Sequence, residues 1–154
     1  MMNQTQKKSH SKRNIVITVI GVAIILISFV IIGYNYRFSI YSDSGSISIA
    51  PGYYYYIEIK LSSFSSNFFL IISFTASGGS GNDIRCYVMD STNFINWENG
   101  NQAYAIYNSG QVTAAFATIH LQGSGTYYIV FDNTFSVFSY KFVSYSITAQ
   151  TTLL

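Results

Sequence analysis

Chemistry on a protein needs partnered side chains: a nucleophile beside a base, two carboxylates at working distance, or several metal ligands. This chain of 154 residues offers few. Beyond residue 36 its only histidine is His120, and its only cysteine is Cys86. Serines are abundant, but none stands in a Gly-x-Ser-x-Gly elbow, and no paired-carboxylate signature is present. With no Cys-x-x-Cys and no paired histidines, neither a zinc site nor another cofactor is expected. Gly78-Gly79-Ser80-Gly81-Asn82-Asp83 matches the start of a calcium-binding nonapeptide, but Arg85 stands where a large apolar residue is needed. The motif also occurs once, whereas such repeats work as stacks. It reads better as a hairpin loop, with glycines supplying positive φ. The residues therefore point away from catalysis and toward binding. Tyr54 and Tyr56 are the best candidates, since exposed tyrosines combine apolar area with a hydroxyl and few rotors.

Charge is segregated. Lys7, Lys8, Lys12 and Arg13 precede residue 15 with no acid among them. Residues 15–32 carry no charge, and the remainder holds Arg37, Lys60, Arg85 and Lys141 against Asp43, Glu58, Asp83, Asp90, Glu98 and Asp132. The larger part is slightly acidic, which argues against a nucleic-acid partner.

The uncharged run IVITVIGVAIILISFVII spans about 27 Å as a helix, close to the hydrocarbon thickness of a bilayer. Tyr34 and Tyr36 follow at the level of an aromatic belt. The expected organisation is a basic tail (1–14), a transmembrane helix (15–34), a linker (35–45) and an extracytoplasmic domain (46–150). The basic flank puts the N-terminus in the cytoplasm. A cleaved signal peptide would have a shorter apolar run and small residues before Gly33, where Ile31 and Ile32 stand. A type IV pilin leader would need a small residue before the helix.

After Tyr36 the pattern switches to strands: aromatic and β-branched residues alternate with Ser, Thr and Tyr, broken by Gly and Asn. Strands are expected at 46–50, 53–61, 67–75, 83–89, 102–107, 112–121, 126–132 and 139–149. The fold class is all-β, an antiparallel β-sandwich of about eight strands. Tyr53, Tyr55, Ile57, Ile59 and Leu61 share one face, and Tyr54, Tyr56, Glu58 and Lys60 the other. Ile84, Cys86 and Val88 point inward, which makes Cys86 a core thiol. In the last strand Val143, Tyr145 and Ile147 oppose Phe142, Ser144, Ser146 and Thr148. Strand 67–75 is apolar on both faces, with Phe69 and Ile71 on the second. It is either central or covered by a partner there. In 90–98, Asp90 or Ser91 caps a short helical turn whose Phe94 and Trp97 cover one end of the sandwich.

Residues 125–145, GTYYIVFDNTFSVFSYKFVSY, resemble the closing hairpin of the GOLD (Golgi dynamics) domain. The shared positions are Gly125, Tyr127, Phe131, Asp132, Asn133, Phe135, Ser136, Ser139, Lys141 and Val143, with Tyr145 matching a lipid-transfer branch. The resemblance implies a jelly-roll-like interaction module. The anchor precedes the domain here, whereas it follows in the secretory cargo receptors, and Val130 replaces their disulfide cysteine. Cargo sorting is therefore not implied. From the residues themselves, Tyr127, Ile129 and Phe131 point one way, Asn133 reverses the chain, and Lys141 is placed to pair with Asp132 across the hairpin.

The expected function is a non-catalytic, membrane-anchored interaction module. Its partners would be the lipid bilayer together with another protein or copies of itself, through Tyr54, Tyr56, Phe69 and Ile71. The alternatives are a carbohydrate-binding module, with a glycan on the tyrosines and Trp97, and a pilin-like filament or envelope subunit.

Overall fold

The computed structural model describes Ile24, Ile27, residues 37–62 and residues 67–152. The expected membrane helix and its basic tail lie outside the described residues, apart from Ile24 and Ile27. Both are helical, with exposed side chains. Among the described residues no helix is long and apolar enough to cross a membrane.

Residues Arg37–Thr152 form a compact unit, with eight strands and one helix among the described residues. The strands are β1 (Arg37–Ile49), β2 (Tyr54–Leu61), β3 (Asn67–Ser77), β4 (Ile84–Asp90), β5 (Tyr107–Val112), β6 (Ala114–Gln122), β7 (Gly125–Asp132) and β8 (Lys141–Thr152). Helix α1 (Ser91–Glu98) separates β4 from β5. One sheet runs β1-β8-β3-β6 and the other β2-β7-β4-β5, with antiparallel pairing throughout. The expected all-β antiparallel sandwich is thus the observed architecture.

Alternation sets the inner faces. Ile57, Ile59 and Leu61 of β2, Ile84, Cys86 and Val88 of β4, and Ile129 and Phe131 of β7 meet Leu70, Ile72 and Phe74 of β3 and Val143 and Ile147 of β8 in one core. Phe131 is fully buried, edge-on to Phe74 with ring centroids 5.4 Å apart. Cys86 is fully buried too, and burial pushes its thiol pKa up. Strand β3 is central in its sheet, between β8 and β6, and its outer-face Phe69 and Ile71 are half-buried.

Five expectations are corrected. The stretch read as a linker is mostly strand: β1 begins at Arg37, opposite Thr152, so the domain spans 37–152. Its pattern was hidden because the inward positions include Asp43 and Gly45. A Cβ on Gly45 would lie 3.2 Å from the Tyr145 hydroxyl, so glycine there makes room for the ring. The fifth strand is Tyr107–Val112, not 102–107. Its Asn108-Ser109-Gly110 reads as a turn, and Gly110 has φ +65°, but the turn chemistry sits inside a bulged ladder with β4.

The other three concern how pieces pack. The glycine-rich loop at 78–83 does not close a hairpin, because β3 and β4 lie in different sheets. Nor do β7 and β8 pair, so residues 133–140 carry the chain from one sheet to the other. Both strands still face the same core, which is why their inward sets were legible. Finally, α1 lies on the outer face of the second sheet, not over a sandwich end. Phe94 packs there with Met89 and Val130, ringed by Tyr54, Tyr87, Trp97 and Tyr128.

Candidate functional site

Where β7 ends, the chain must leave one sheet and enter the other without orphaning its polar groups. Asn133, fully buried, does much of this. Its Nδ2 donates to the carbonyls of Ile49 (3.1 Å), Ala50 (3.0 Å) and Ser139 (3.0 Å). Its backbone N–H donates to Tyr53 O at 3.0 Å, and its carbonyl accepts from Gly52 N at 3.1 Å. The sequence placed Asn133 at a reversal, a position where Asn tolerates positive φ better than a β-branched residue does. Its φ is not positive; the side chain is used instead, as a strut. Its Oδ1 is buried with no hydrogen-bond partner among the described residues.

A second brace holds the far side of the same connection. Lys141 is not paired with Asp132 as expected. Only 3% exposed, it donates from Nζ to Asp83 Oδ1 at 2.6 Å and to Gly78 O at 3.0 Å. Gln111 Nε2 donates to the other Asp83 oxygen at 2.7 Å. The Lys141 hydrogen bond holds the Asp83 carboxyl below its usual range. Asp132 instead accepts from Thr134 N at 2.7 Å and lies 3.9 Å from the Arg85 guanidinium. That guanidinium sits 4.6 Å from the centre of the Phe135 ring. Ser136 Oγ donates to Ser139 O at 3.2 Å. Close packing at Gly79, where a Cβ would lie 2.7 Å from Ser139, admits no larger residue without a shift. The motif residues Asp132, Asn133, Ser136 and Lys141 thus form a polar knot, while Gly125 (φ +155°), Tyr127 and Phe131 build the strand that leads to it.

The loop on this knot presents apolar side chains to water. Phe138 is 90% exposed, and Val137, Tyr140 and Tyr53 are also largely exposed. Tyr53 belongs to the same end of the sandwich, since its carbonyl bonds to Asn133. This end is opposite Arg37, because β1 and β8 run from the Arg37–Thr152 pair to the Ile49–Lys141 pair, roughly 40 Å at 3.3 Å per residue. Sequence reasoning missed these four residues. The available signal was length: 133–140 exceeds the roughly two to five residues of a hairpin loop, and apolar residues in a long loop are informative.

The residues singled out from sequence do not form one surface. Tyr54 and Tyr56 lie on the outer face of the second sheet, Phe69 and Ile71 on that of the first. The Tyr54 ring packs edge-on to Trp97 at 4.9 Å, and its hydroxyl donates to Glu98 at 2.5 Å. That bond pushes the Tyr54 pKa up to about 12. Tyr56 is half-exposed, 5.1 Å from Phe94 and 5.6 Å from Tyr128. Gly52 and Tyr53–Tyr56 line an open hollow of about 810 Å³. Phe69 lies under the Arg37 guanidinium at 3.8 Å and beside His120 at 5.1 Å. Ile71 is half-buried between Thr118 and Thr148.

A smaller cavity of about 420 Å³ is lined by Asp90, Ile106, His120, Gln122 and Tyr127. Its acid is engaged: Asp90 accepts from Asn93 N at 2.8 Å as the cap of α1. Its phenol donates to Gln122 O at 3.0 Å. Among the described residues no three His, Cys, Asp or Glu side chains group to hold a metal ion.

No protein-family model matches the chain, and no curated protein matches it. Among solved structures it is similar to a periplasmic inhibitor of g-type lysozyme from Aeromonas hydrophila: 14% identity, 71% of this chain and 86% of that one covered, TM-score 0.43. It is also similar to the disulfide-linked pili of Bacillus endospore appendages: 13% identity, 79% and 94% covered, TM-score 0.38.

Proposed function

We propose that the chain is a membrane-anchored, non-catalytic module that binds a protein partner through the apolar loop at 137–140 and Tyr53, with the β-domain on the extracytoplasmic side. One observation carries the reading: Phe138 is 90% exposed on a loop whose base is pinned by Asn133 and by Lys141–Asp83. Burying such a side chain in a partner gains roughly 1.5–3 kcal/mol, and a pre-ordered loop loses little entropy on binding. Apolar anchors on loops held by a rigid scaffold are a common form of binding surface. Basic residues before an apolar run support the anchor, and the exposed isoleucines Ile24 and Ile27 suit a helix covered by lipid. The β-sandwich itself suits the GOLD-like expectation of an interaction module.

The test is chemical crosslinking of the intact protein in its native membrane, comparing wild type with Val137→Ser/Phe138→Ser. A discrete adduct lost in the variant supports the reading, and an unchanged adduct overturns it. The tyrosine hollow favours a second reading, a glycan subsite. Tyr56→Ala is the probe on a glycan array, read beside a melt because its ring contacts Phe94 of α1, whereas Tyr54 also hydrogen-bonds Glu98. Ordered polymers in the native membrane would favour the filament alternative.

A further inference from the structure

Among the described residues the sandwich has four edge strands, and three are blunted against pairing with another chain. Strand β1 has a register break between Ser39 and Tyr41 and turns a carboxylate inward at Asp43, held by the Tyr145 hydroxyl at 3.2 Å. Strand β2 carries exposed Lys60, paired with Glu58 at 2.7 Å. Strand β5 has six residues, with Gly110 in the left-handed region and a register break opposite it. These are the usual devices that keep sheet edges from associating.

Strand β6 has none of them. Its nine residues, AAFATIHLQ, contain no Gly, Pro, Asp, Glu, Lys or Arg and keep an unbroken register with β3. Among the described residues its backbone pairs only with β3. Phe116 is 73% exposed, and Ala115 and Ala117 of the inner face are only half-buried.

The strand is complementary to itself. About a two-fold axis at Thr118, antiparallel pairing of two copies sets Ala115 opposite the partner's Leu121 and Ala117 opposite the partner's Ile119. Each small residue of one half then meets a branched aliphatic of the other. On the outer face Phe116 meets the partner's His120, extending the row begun by Phe69 and His120 within one copy. We infer that the chain self-associates through β6, joining two first sheets into one continuous eight-stranded sheet. A symmetric contact of this kind closes at two copies. It is separate from the apolar loop and does not depend on it.

Single cysteines in the full-length protein, in its native membrane under mild oxidant, test the register. Cys86 is buried, so it adds little background. Directly opposed antiparallel residues have Cα atoms about 4.5–5.5 Å apart, within the roughly 4.4–6.8 Å a disulfide spans. Thr118→Cys should give a band at twice the monomer mass, lost on reduction. Phe116→Cys alone should not, but co-expressed with His120→Cys it should. Ser46→Cys, on the β1–β8 face, should stay monomeric. Thr118→Cys remaining monomeric while its circular dichroism matches wild type would overturn the inference. So would equal dimer from Ser46→Cys, or a Phe116→Cys dimer as strong as that from Thr118→Cys.

Discussion

Lys141 and Asp83 are 58 positions apart in sequence and 2.6 Å apart in space, with the lysine almost completely buried. The pair joins the start of β8 to the glycine-rich loop before β4, so it ties one sheet to the other. Lys141→Met should cost roughly 3 kcal/mol, the low end for breaking a buried pair, because Asp83 keeps Gln111 and some water. Adding Asp83→Asn should recover part of that loss, since no unpaired charge then remains. Chemical denaturation of the three variants measures it.

The same pair predicts an acid dependence. The folded-state pKa of Asp83 is depressed by its hydrogen bond to Lys141. Its contribution is therefore fully present above the unfolded value, roughly pH 4, and is lost as pH falls through the lower folded value. Melting temperature should drop on acidification below about pH 4. The drop should be shallower in Asp83→Asn.

Asn133 offers a sharper contrast. Asn133→Ala leaves three carbonyls without their shared donor, for a loss of about 2–3 kcal/mol. Asn133→Asp should be worse at neutral pH, because it turns a buried acceptor toward the same carbonyls. Equal melts for the two variants would show that the amide donor is not what matters.

Phe131→Ala removes a fully buried ring from between Phe74 and Tyr145 and should cost about 3–5 kcal/mol. That is a large part of a typical domain's stability. Phe138→Ser, by contrast, should leave the melt within about 0.5 kcal/mol of wild type. The two phenylalanines, seven positions apart in chain order, thus separate core from surface.

Much of the fold was legible because alternation reports burial directly. Ile57, Cys86, Phe131 and Ile147 each point inward where the period-2 pattern puts them, and Asp90 caps α1 as its position before a helical turn suggested. Alternation is silent, however, on which sheet a strand joins. Strands β7 and β8 face one core from opposite sides, so their inward sets look the same as those of a hairpin. Residues 37–45 of β1 were missed because serine, Asp43 and Gly45 occupy its faces, with partners that only the fold supplies. The partner of Lys141 was equally out of reach, since Asp132 was near in sequence and Asp83 was not. The apolar loop went unnoticed for a related reason: Val137 and Phe138 fell between the expected strands 126–132 and 139–149, where alternation assigns no face, and their exposure follows from a connection between sheets that only the fold supplies.

Contact between the loop at the pole opposite Arg37 and a protein partner is the core of the proposed function. It is tested most directly by placing a photoreactive phenylalanine analogue at Phe138 of the full-length protein in its native membrane and irradiating. A control with the analogue at Lys60, on the exposed edge of β2, measures incidental contact. One discrete adduct is expected from position 138 that is absent from position 60. No adduct from position 138, or the same adducts from both positions, would contradict it.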